Sequence, residues 1–263
     1  MKQTFHITRA LAATLLFAAS LSAQQTPSPT NSPPHSPQLQ AELDHLGTTA
    51  KAQILSLPSF TCQEIATSQL IRDQRVRTNV KVQGTVRVIR EPGGNLEETY
   101  TYKRPFHLLF IPARLPYFVS GGFDSALSYF LPPAQACYQY TLSPRRIDFT
   151  TRTGVVPGHI CRSRGLKGFA LLNAAGDVTH IQRTLPEDVA RSLKITAFAA
   201  VDLAPVNLNG HVYLLSQHII ATQPLDNGEG YFEATYTNCH RFTSTVTLGP
   251  ASEINPDNDS KPQ

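Results

Sequence analysis

The four cysteines, Cys62, Cys137, Cys161 and Cys239, are the residues whose chemistry the sequence indicates most directly. An even number of cysteines in an exported chain is typical of disulfide bonds, because an oxidising compartment lets them form and persist. The sequence alone does not choose among the possible pairings. We expect Cys137–Cys161, which closes a short local loop, and Cys62–Cys239, which would join the first strand to the last.

A metal site is the alternative use of these thiols. His159 lies close to Cys161, and His240 directly follows Cys239, so thiolate and imidazole groups are neighbours in sequence. Neither C-x-x-C nor H-x-x-x-H spacing occurs, however, and these are the spacings typical of zinc sites. We therefore expect no metal and no other cofactor.

Motifs for catalysis are missing from the sequence. It contains no G-x-S-x-G elbow, no phosphate-binding P-loop, no G-x-G-x-x-G and no H-E-x-x-H. Residues 121–125 resemble a nucleophile turn, but no strand–helix pattern flanks them. The adjacent carboxylates Glu97 and Glu98 would point to opposite faces of a strand, so they do not form an acid–base pair.

Histidines offer no better candidate for catalysis. His180, His211, His218 and His240 lie on predicted strands, and no serine, cysteine or aspartate motif accompanies them. Such histidines more often lie at the surface or in hydrogen-bonded positions of the core. We predict that the protein is not an enzyme.

Basic residues are concentrated in one stretch of the chain. Against a single Asp148, the stretch 145–167 contains Arg145, Arg146, Arg152, Arg162, Arg164 and Lys167. One interpretation is a solvated rim of loops and strand ends, and the other is a collar for a carboxylate, phosphate or lipid headgroup. The net charge of +4 is too small to indicate nucleic-acid binding.

The N-terminus predicts export. Lys2 and Arg9 precede an apolar stretch at 10–21, and Ala23 is a suitable cleavage position, so residues 1–23 are predicted to be a signal peptide. The stretch is too short to cross a bilayer, and we expect no transmembrane segment in the mature chain. The protein would then be periplasmic or extracellular.

Composition divides the rest of the chain. Residues 24–37 are rich in proline, serine and threonine and are predicted to be a disordered linker, and the polar tail 249–263 is also predicted to be disordered. Residues 38–248 then form a single domain. Its first element is a helix that begins at Ser36-Pro37 and ends before Pro58, with an apolar stripe at spacings of three and four.

Strand patterns follow this helix. Alternating or β-branched runs occupy 61–72, 75–90, 96–103, 137–142, 146–152, 168–173, 178–184, 196–203, 211–222 and 231–248. Turn residues such as Asn209-Gly210 separate them, and a short helix is expected from Pro186 to about Leu193. We predict an α+β fold in which about nine or ten antiparallel strands form a strongly curved half-barrel around the N-terminal helix.

Some of these strands resemble a known family. The run from Gly168 to Val178, the strand after Asn209-Gly210 and the strand around Cys239 resemble the half-barrels of periplasmic lipoprotein carriers and related sigma-factor regulators. The resemblance follows element order from about Leu39 to Leu248. It implies an apolar concave surface for acyl chains.

The leading functional hypothesis is therefore a non-catalytic binding or carrier protein for an apolar or lipid-like ligand. The residues expected to line the core or an apolar pocket are Phe169, Leu171, Tyr213, Leu215, Phe232 and Tyr236. The arginine-rich rim would contact an anionic headgroup. The alternative is a periplasmic interaction or regulatory module with a filled core, whose partner would be another envelope protein.

Overall fold

A computed structural model describes residues 36–103, 115–123, 125–154, 161 and 164–242. The predicted signal peptide, nearly all of the linker, the tail, Asp124, Arg162 and residues 243–248 lie outside the described residues. In the part that is described, no helix has the length and apolar character needed to span a membrane.

The N-terminal helix, α1, spans Pro37–Ser56 and agrees with the sequence prediction. The Ser36 hydroxyl accepts a hydrogen bond of 3.2 Å from the Leu39 N–H in the first turn of the helix, which is the usual N-cap interaction. At the other end, the Arg90 guanidinium donates to the carbonyl oxygens of Ile54 at 2.5 Å and Leu57 at 2.6 Å. A cation in this position satisfies carbonyls that the helix leaves free and is attracted by the helix dipole.

Within the described ranges, ten antiparallel strands form one curved, open sheet. They are β1 (Phe60–Arg72), β2 (Arg75–Arg90), β3 (Leu96–Lys103), β4 (Tyr138–Ser143), β5 (Arg146–Thr151), β6 (Lys167–Leu172), β7 (Val178–Thr184), β8 (Phe198–Leu208), β9 (His211–Leu225) and β10 (Gly228–Arg241). Their order is β3-β2-β1-β10-β9-β8-β7-β6-β5-β4, so the consecutive strands β3 and β4 are the two edges. The predicted α+β half-barrel is confirmed.

Three short helical segments complete the described part. A 3₁₀ helix (Ala126–Phe130) and α2 (Pro132–Gln135) precede β4, and α3 (Glu187–Leu193) connects β7 to β8. The 3₁₀ helix and α2 pack against the buried face of α1 at Gly47. A Cβ atom there would lie 2.9 Å from the Phe130 carbonyl oxygen, so glycine allows the close approach.

Most strand bounds agree with the prediction, but β8 and β9 are longer than expected, and β10 spans Gly228–Arg241 where 231–248 was predicted. β8 continues to Leu208 rather than ending at 203, and only Asn209 and Gly210 separate it from β9. Both turn residues have positive φ, +58° and +91°, as a tight type I′ hairpin requires. β10 begins at Gly228 instead of 231.

The first and last strands pair directly, which brings the two ends of the domain together. Cys62 of β1 faces a bulge in β10 that contains Asn238 and Cys239, because the pairing moves from Thr61 opposite His240 to Gln63 opposite Thr237. The structure joins both expected cysteine pairs, with Cα–Cα distances of 4.1 Å for Cys62–Cys239 and 5.3 Å for Cys137–Cys161.

Candidate functional site

One row of side chains crosses four strands on the core-facing, concave side of the sheet. Tyr102 on β3 is paired with Gly84 on β2, Gly84 with Glu64 on β1, and Glu64 with Tyr236 on β10. Directly paired residues of neighbouring strands share a face, so the two tyrosines lie on either side of the carboxyl group. We call Glu64, Tyr102 and Tyr236 the polar row.

Glu64 is the buried carboxyl group at the centre of the polar row, with 0% of its surface exposed. Burial raises the pKa of Glu64 to about 7, since it disfavours the charged form. The Tyr102 and Tyr236 hydroxyls lower this pKa, and the negative charge of Glu98 raises it further. The carboxyl group therefore changes its charge close to neutral pH.

The oxygen atoms of the polar row are not satisfied by the described residues. Both Glu64 carboxyl oxygens and the hydroxyls of Tyr102 and Tyr236 are buried without a hydrogen bond of standard geometry in that part of the chain. The two hydroxyls lie close enough to lower the pKa of the carboxyl group as hydrogen-bonding neighbours, but their geometry falls short of a standard hydrogen bond. Burial also raises the pKa of each tyrosine, so both stay protonated.

Gly84 makes room for this arrangement. A Cβ atom at this position would lie 2.4 Å from the Thr101 carbonyl oxygen and 2.7 Å from the ring of Tyr102. With glycine there, the Tyr102 ring lies across β2 next to Glu64. A side chain at position 84 would displace the ring.

Residues 115–123 lie over the concave face, and we call them the cover segment. Two hydrogen bonds join Ser68 to Tyr117: the hydroxyl donates to the carbonyl at 2.6 Å and accepts from the backbone N–H at 3.0 Å. Further along, the Gly121 N–H donates to the Glu98 carboxylate at 3.0 Å and to the Tyr100 hydroxyl at 2.7 Å. These contacts hold the cover segment to β1 and β3.

Aromatic rings form the surface between the cover segment and the sheet. The Phe118 ring makes edge contacts with Tyr100, at 4.7 Å between centroids, and with Phe232, at 5.4 Å. The Phe123 ring contacts Tyr236 at 5.0 Å. The polar row thus lies within an aromatic surface, a composition that suits the polar end of an amphiphilic ligand.

The six residues predicted to line the core or a pocket lie on different faces of the sheet and differ in burial. Phe232 and Tyr236 are buried on the concave face of β10, and Leu215 is also buried. Tyr213 is half-buried, and its hydroxyl donates to the Ser56 carbonyl at the end of α1. Only Phe232 and Tyr236 belong to the surface beneath the cover segment.

Phe169 and Leu171 were expected to face inwards, and this expectation is wrong. The core-facing positions of β6 are Ala170 and Leu172, so the two residues lie on the outer face. The Phe169 ring stacks on His180, and the Arg146 guanidinium lies 3.8 Å from its centroid. Register places Gly168 opposite Phe149 on β5, and the Phe149 ring fills the space next to Gly168, so the alternate residues Phe169 and Leu171 point outwards.

The basic residues do not form one collar in the described part. Arg145 and Arg146 lie at the start of β5 and Arg152 beyond its end, which places Arg145 and Arg152 about 23 Å apart along an extended strand. Arg146 forms a fork with Asp148, the shortest contact being 2.7 Å, and the Nε of Arg152 donates to the Tyr138 carbonyl. Arg164 is exposed, and Arg162 lies outside the described residues.

A second polar cluster lies on the outer face, and we call it the histidine network. His180 Nδ1 is 2.6 Å from one Asp202 oxygen, and His218 Nδ1 is 3.2 Å from the other. His218 Nε2 is 2.9 Å from Glu233, which also accepts a hydrogen bond from Tyr231. Sequence analysis gave these histidines no partner; the structure supplies carboxylates from neighbouring strands.

The pKa values of His218 and Glu233 are each shifted in the direction that favours the charged form. Burial lowers the pKa of His218, but the hydrogen bonds with Glu233 and Asp202 outweigh this effect and the pKa is raised overall. The pKa of Glu233 is lowered, chiefly by its hydrogen bond with His218. The described residues contain no group of three or more potential ligands arranged to hold a metal ion.

Sequence reasoning missed Glu64, although a signal for it was present. Glu64 shares its parity on β1 with Phe60, Cys62 and Ala66, which are all buried. A glutamate at a core position of a strand is unusual, because a charged group is rarely buried without a partner. This parity was the available evidence for a buried carboxyl.

Comparison with known proteins finds similar solved structures but no matching family model or curated protein. No family model matches the chain, and no curated protein matches it. Among solved structures, it is similar to a candidate outer membrane lipoprotein-sorting protein domain from Vibrio parahaemolyticus, with a TM-score of 0.44 and 9% identity over 79% of this chain and 94% of that one.

Two further solved structures are similar to this chain, with comparably low sequence identity. A DUF1329 family protein from Desulfovibrio piger has a TM-score of 0.43 and 10% identity, covering 79% of this chain and 95% of its own. A LolA superfamily protein from Nitrosomonas europaea has a TM-score of 0.34 and 11% identity, covering 77% and 94%. Likenesses at this level of identity and TM-score establish neither a ligand nor a reaction.

Proposed function

We propose that this chain is a non-catalytic, exported binding or carrier protein for an apolar, lipid-like ligand. The ligand would lie between the concave face of the sheet and the cover segment. Its apolar part would contact the rings of Phe118 and Phe232, and its polar end would reach the polar row. The predicted signal peptide and the two disulfides support export.

The observation that carries this proposal is the Glu64 carboxyl group. It is fully buried on an aromatic surface, and its oxygens make no hydrogen bond of standard geometry with the described residues. Leaving a buried polar group unsatisfied costs about 1–3 kcal/mol, and more for a charged group. The polar group of a bound ligand would remove this cost.

Native mass spectrometry of protein purified from the exported fraction tests the proposal, followed by organic extraction of whatever co-purifies. We expect a bound lipid or fatty acid in the wild type. Phe118→Ala should lose it, because the Phe118 ring of the cover segment contacts Tyr100 and Phe232 of the sheet. Leu171→Ala is the matched control, since the two side chains are equally exposed, at 36% and 38%, but lie on opposite faces.

A clean ligand-free mass that added lipids do not change would contradict the proposal. It would favour the alternative of an interaction module with a filled core, and the search would turn to protein partners in the envelope. Loss of ligand in both variants would show that the effect is not specific to the concave face. Circular dichroism of each variant confirms that it remains folded.

A further inference from the structure

The charge around Glu64 limits which polar end the ligand can have. Among the described residues, the charge that acts on its carboxyl group is that of Glu98, another carboxylate, which raises the pKa of Glu64. Glu98 also accepts hydrogen bonds from Tyr100 and from the Gly121 N–H on the cover segment. An anionic headgroup would therefore approach two carboxyl groups on one buried face, which is electrostatically unfavourable.

The hydrogen-bonding capacity of the polar row also disfavours an anionic headgroup. An ionised carboxylate only accepts hydrogen bonds, and a tyrosine hydroxyl accepts as well as donates. The unsatisfied atoms of the polar row, two carboxyl oxygens and two hydroxyls, thus offer more acceptors than donors. A primary ammonium group donates three hydrogen bonds and accepts none, so it complements this set.

Aromatic rings add a third contribution. Tyr102 and Tyr236 flank the carboxyl group, Tyr100 lies 6.4 Å from Tyr102, and Phe123 lies 5.0 Å from Tyr236. The faces of such rings attract cations, and the attraction is stronger where water is excluded. Carboxylate and ring faces together form a surface for a positively charged group.

We infer that the polar row of Glu64, Tyr102 and Tyr236 binds the ammonium group of an amine-bearing amphiphile. This inference rests on the proposed function, because it names the polar end of the ligand whose apolar part contacts the rings beneath the cover segment. The ammonium group would give Glu64 the hydrogen bonds of standard geometry that the described residues do not supply. Ligands with a neutral hydroxyl bind less tightly, and those with a carboxylate bind least tightly.

Isothermal titration with three probes of the same chain length tests this inference: dodecylammonium and dodecanoate below their micellar concentrations, and dodecanol below its solubility limit. At about pH 8 the amine is charged and Glu64 is mostly ionised. We expect dodecylammonium to bind at least about tenfold more tightly than dodecanol, a difference of about 1.4 kcal/mol, because a desolvated carboxylate and ring faces attract the charged headgroup. Dodecanoate should bind most weakly.

Two variants and a control assign the selectivity to the polar row. Glu64→Gln keeps the shape and removes the charge, so dodecylammonium should lose its advantage while dodecanol binding stays unchanged. Tyr236→Phe removes one hydroxyl and should reduce the advantage by a smaller factor. Glu97→Gln, the same change on the exposed neighbour of Glu98, should leave all three affinities as they are.

The outcomes separate this inference from the proposed function. If none of the three probes binds, the proposed function fails. If the probes bind with equal affinity, or dodecanoate binds best, the protein binds apolar chains but the ammonium assignment is wrong. Equal loss of all three probes in Glu64→Gln would also overturn the assignment, because it would show that Glu64 only supports the fold.

Discussion

Gln53 of α1 and Leu214 of β9 are joined by two hydrogen bonds that imitate strand pairing. The side-chain amide donates to the Leu214 carbonyl at 2.7 Å, and its oxygen accepts from the Leu214 N–H at 2.9 Å. In the described sheet, pairing between β9 and β10 ends at His218 and Thr235, so the strands separate beyond that point. The two hydrogen bonds therefore attach the C-terminal end of α1 to β9 in the part of the sheet where β9 and β10 have separated.

Removal of the Gln53 amide should destabilise the domain. Gln53→Ala leaves the N–H and carbonyl of Leu214 without these partners, at a cost of about 1–3 kcal/mol. Gln40→Ala on the same helix is the control, because the Gln40 amide only contacts the exposed Asp44 and its loss should cost little. Urea denaturation measures both; equal effects would show that the α1–β9 contact is unimportant.

Gly47 should resist replacement although it lies inside a helix. Alanine favours a helix by about 1 kcal/mol over glycine, which alone would stabilise the protein. However, a Cβ atom at 47 would lie 2.9 Å from the Phe130 carbonyl and 3.0 Å from the Gln135 side chain. We expect Gly47→Ala to be net destabilising by about 1–3 kcal/mol, as overpacked cores are.

The control for this substitution is Gly93→Ala in the β2–β3 turn, where a Cβ atom would meet nothing within 4 Å. Thermal unfolding of both variants gives the comparison. A stabilised Gly47→Ala protein would show that the 3₁₀ helix and α2 do not pack closely against α1.

The pH dependence of stability should report the burial of Glu64. Its pKa is about 7 in the folded protein against an ordinary 4.5, so the folded state binds this proton more tightly than the unfolded state does. The group therefore does not destabilise the protein below about pH 4.5, and its ionisation costs stability progressively as pH rises to about 7. A shift of this size corresponds to about 3 kcal/mol.

Glu64→Gln removes this penalty. Relative to the wild type, the variant should match in stability at low pH and become more stable by up to about 3 kcal/mol above neutral pH. Guanidinium denaturation at several pH values provides the measurement. A constant difference between the two proteins across this range would contradict the raised pKa.

The histidine network should contribute stability mainly below neutral pH. His218 has a raised pKa, so its stabilising interaction is fully present below its ordinary pKa of 6.5 and is lost as pH rises through the folded value. Asp202 and Glu233 have lowered pKa values and lose their contribution in acid instead. His218→Gln should therefore reduce the melting temperature more at mildly acidic pH than at alkaline pH. An equal reduction at both would show that the imidazole charge does not matter.

Local pattern was sufficient to predict the helix, most strand bounds and the fold class. Ser36-Pro37 begins α1, and Asn209-Gly210 forms a two-residue turn, because these residue types favour those backbone conformations. Large apolar side chains were a poorer guide to the buried face. On β6, Gly168 lies next to the Phe149 ring of the neighbouring strand, which fills the space that a side chain at 168 would need, while Phe169 and Leu171 lie on the outer face.

The candidate site could not be predicted for a different reason. The partners of Glu64 come from β3 and β10, and Tyr236 is far from it in sequence. Long-range register decides which side chains meet, and single-strand periodicity carries no information about it. The same holds for the histidine network, whose carboxylates come from strands adjacent only in the folded sheet.

The sequence contains no tryptophan, which allows a direct measurement of where an apolar ligand binds. Phe118→Trp places a single fluorophore on the cover segment, against the sheet, and Leu171→Trp places one of similar exposure on the outer face. Each variant is titrated with a fatty amine that carries a nitroxide quencher on its chain. We expect saturable quenching in the Phe118→Trp protein and none in the Leu171→Trp protein; equal quenching in both, or in neither, would contradict ligand binding at the concave face.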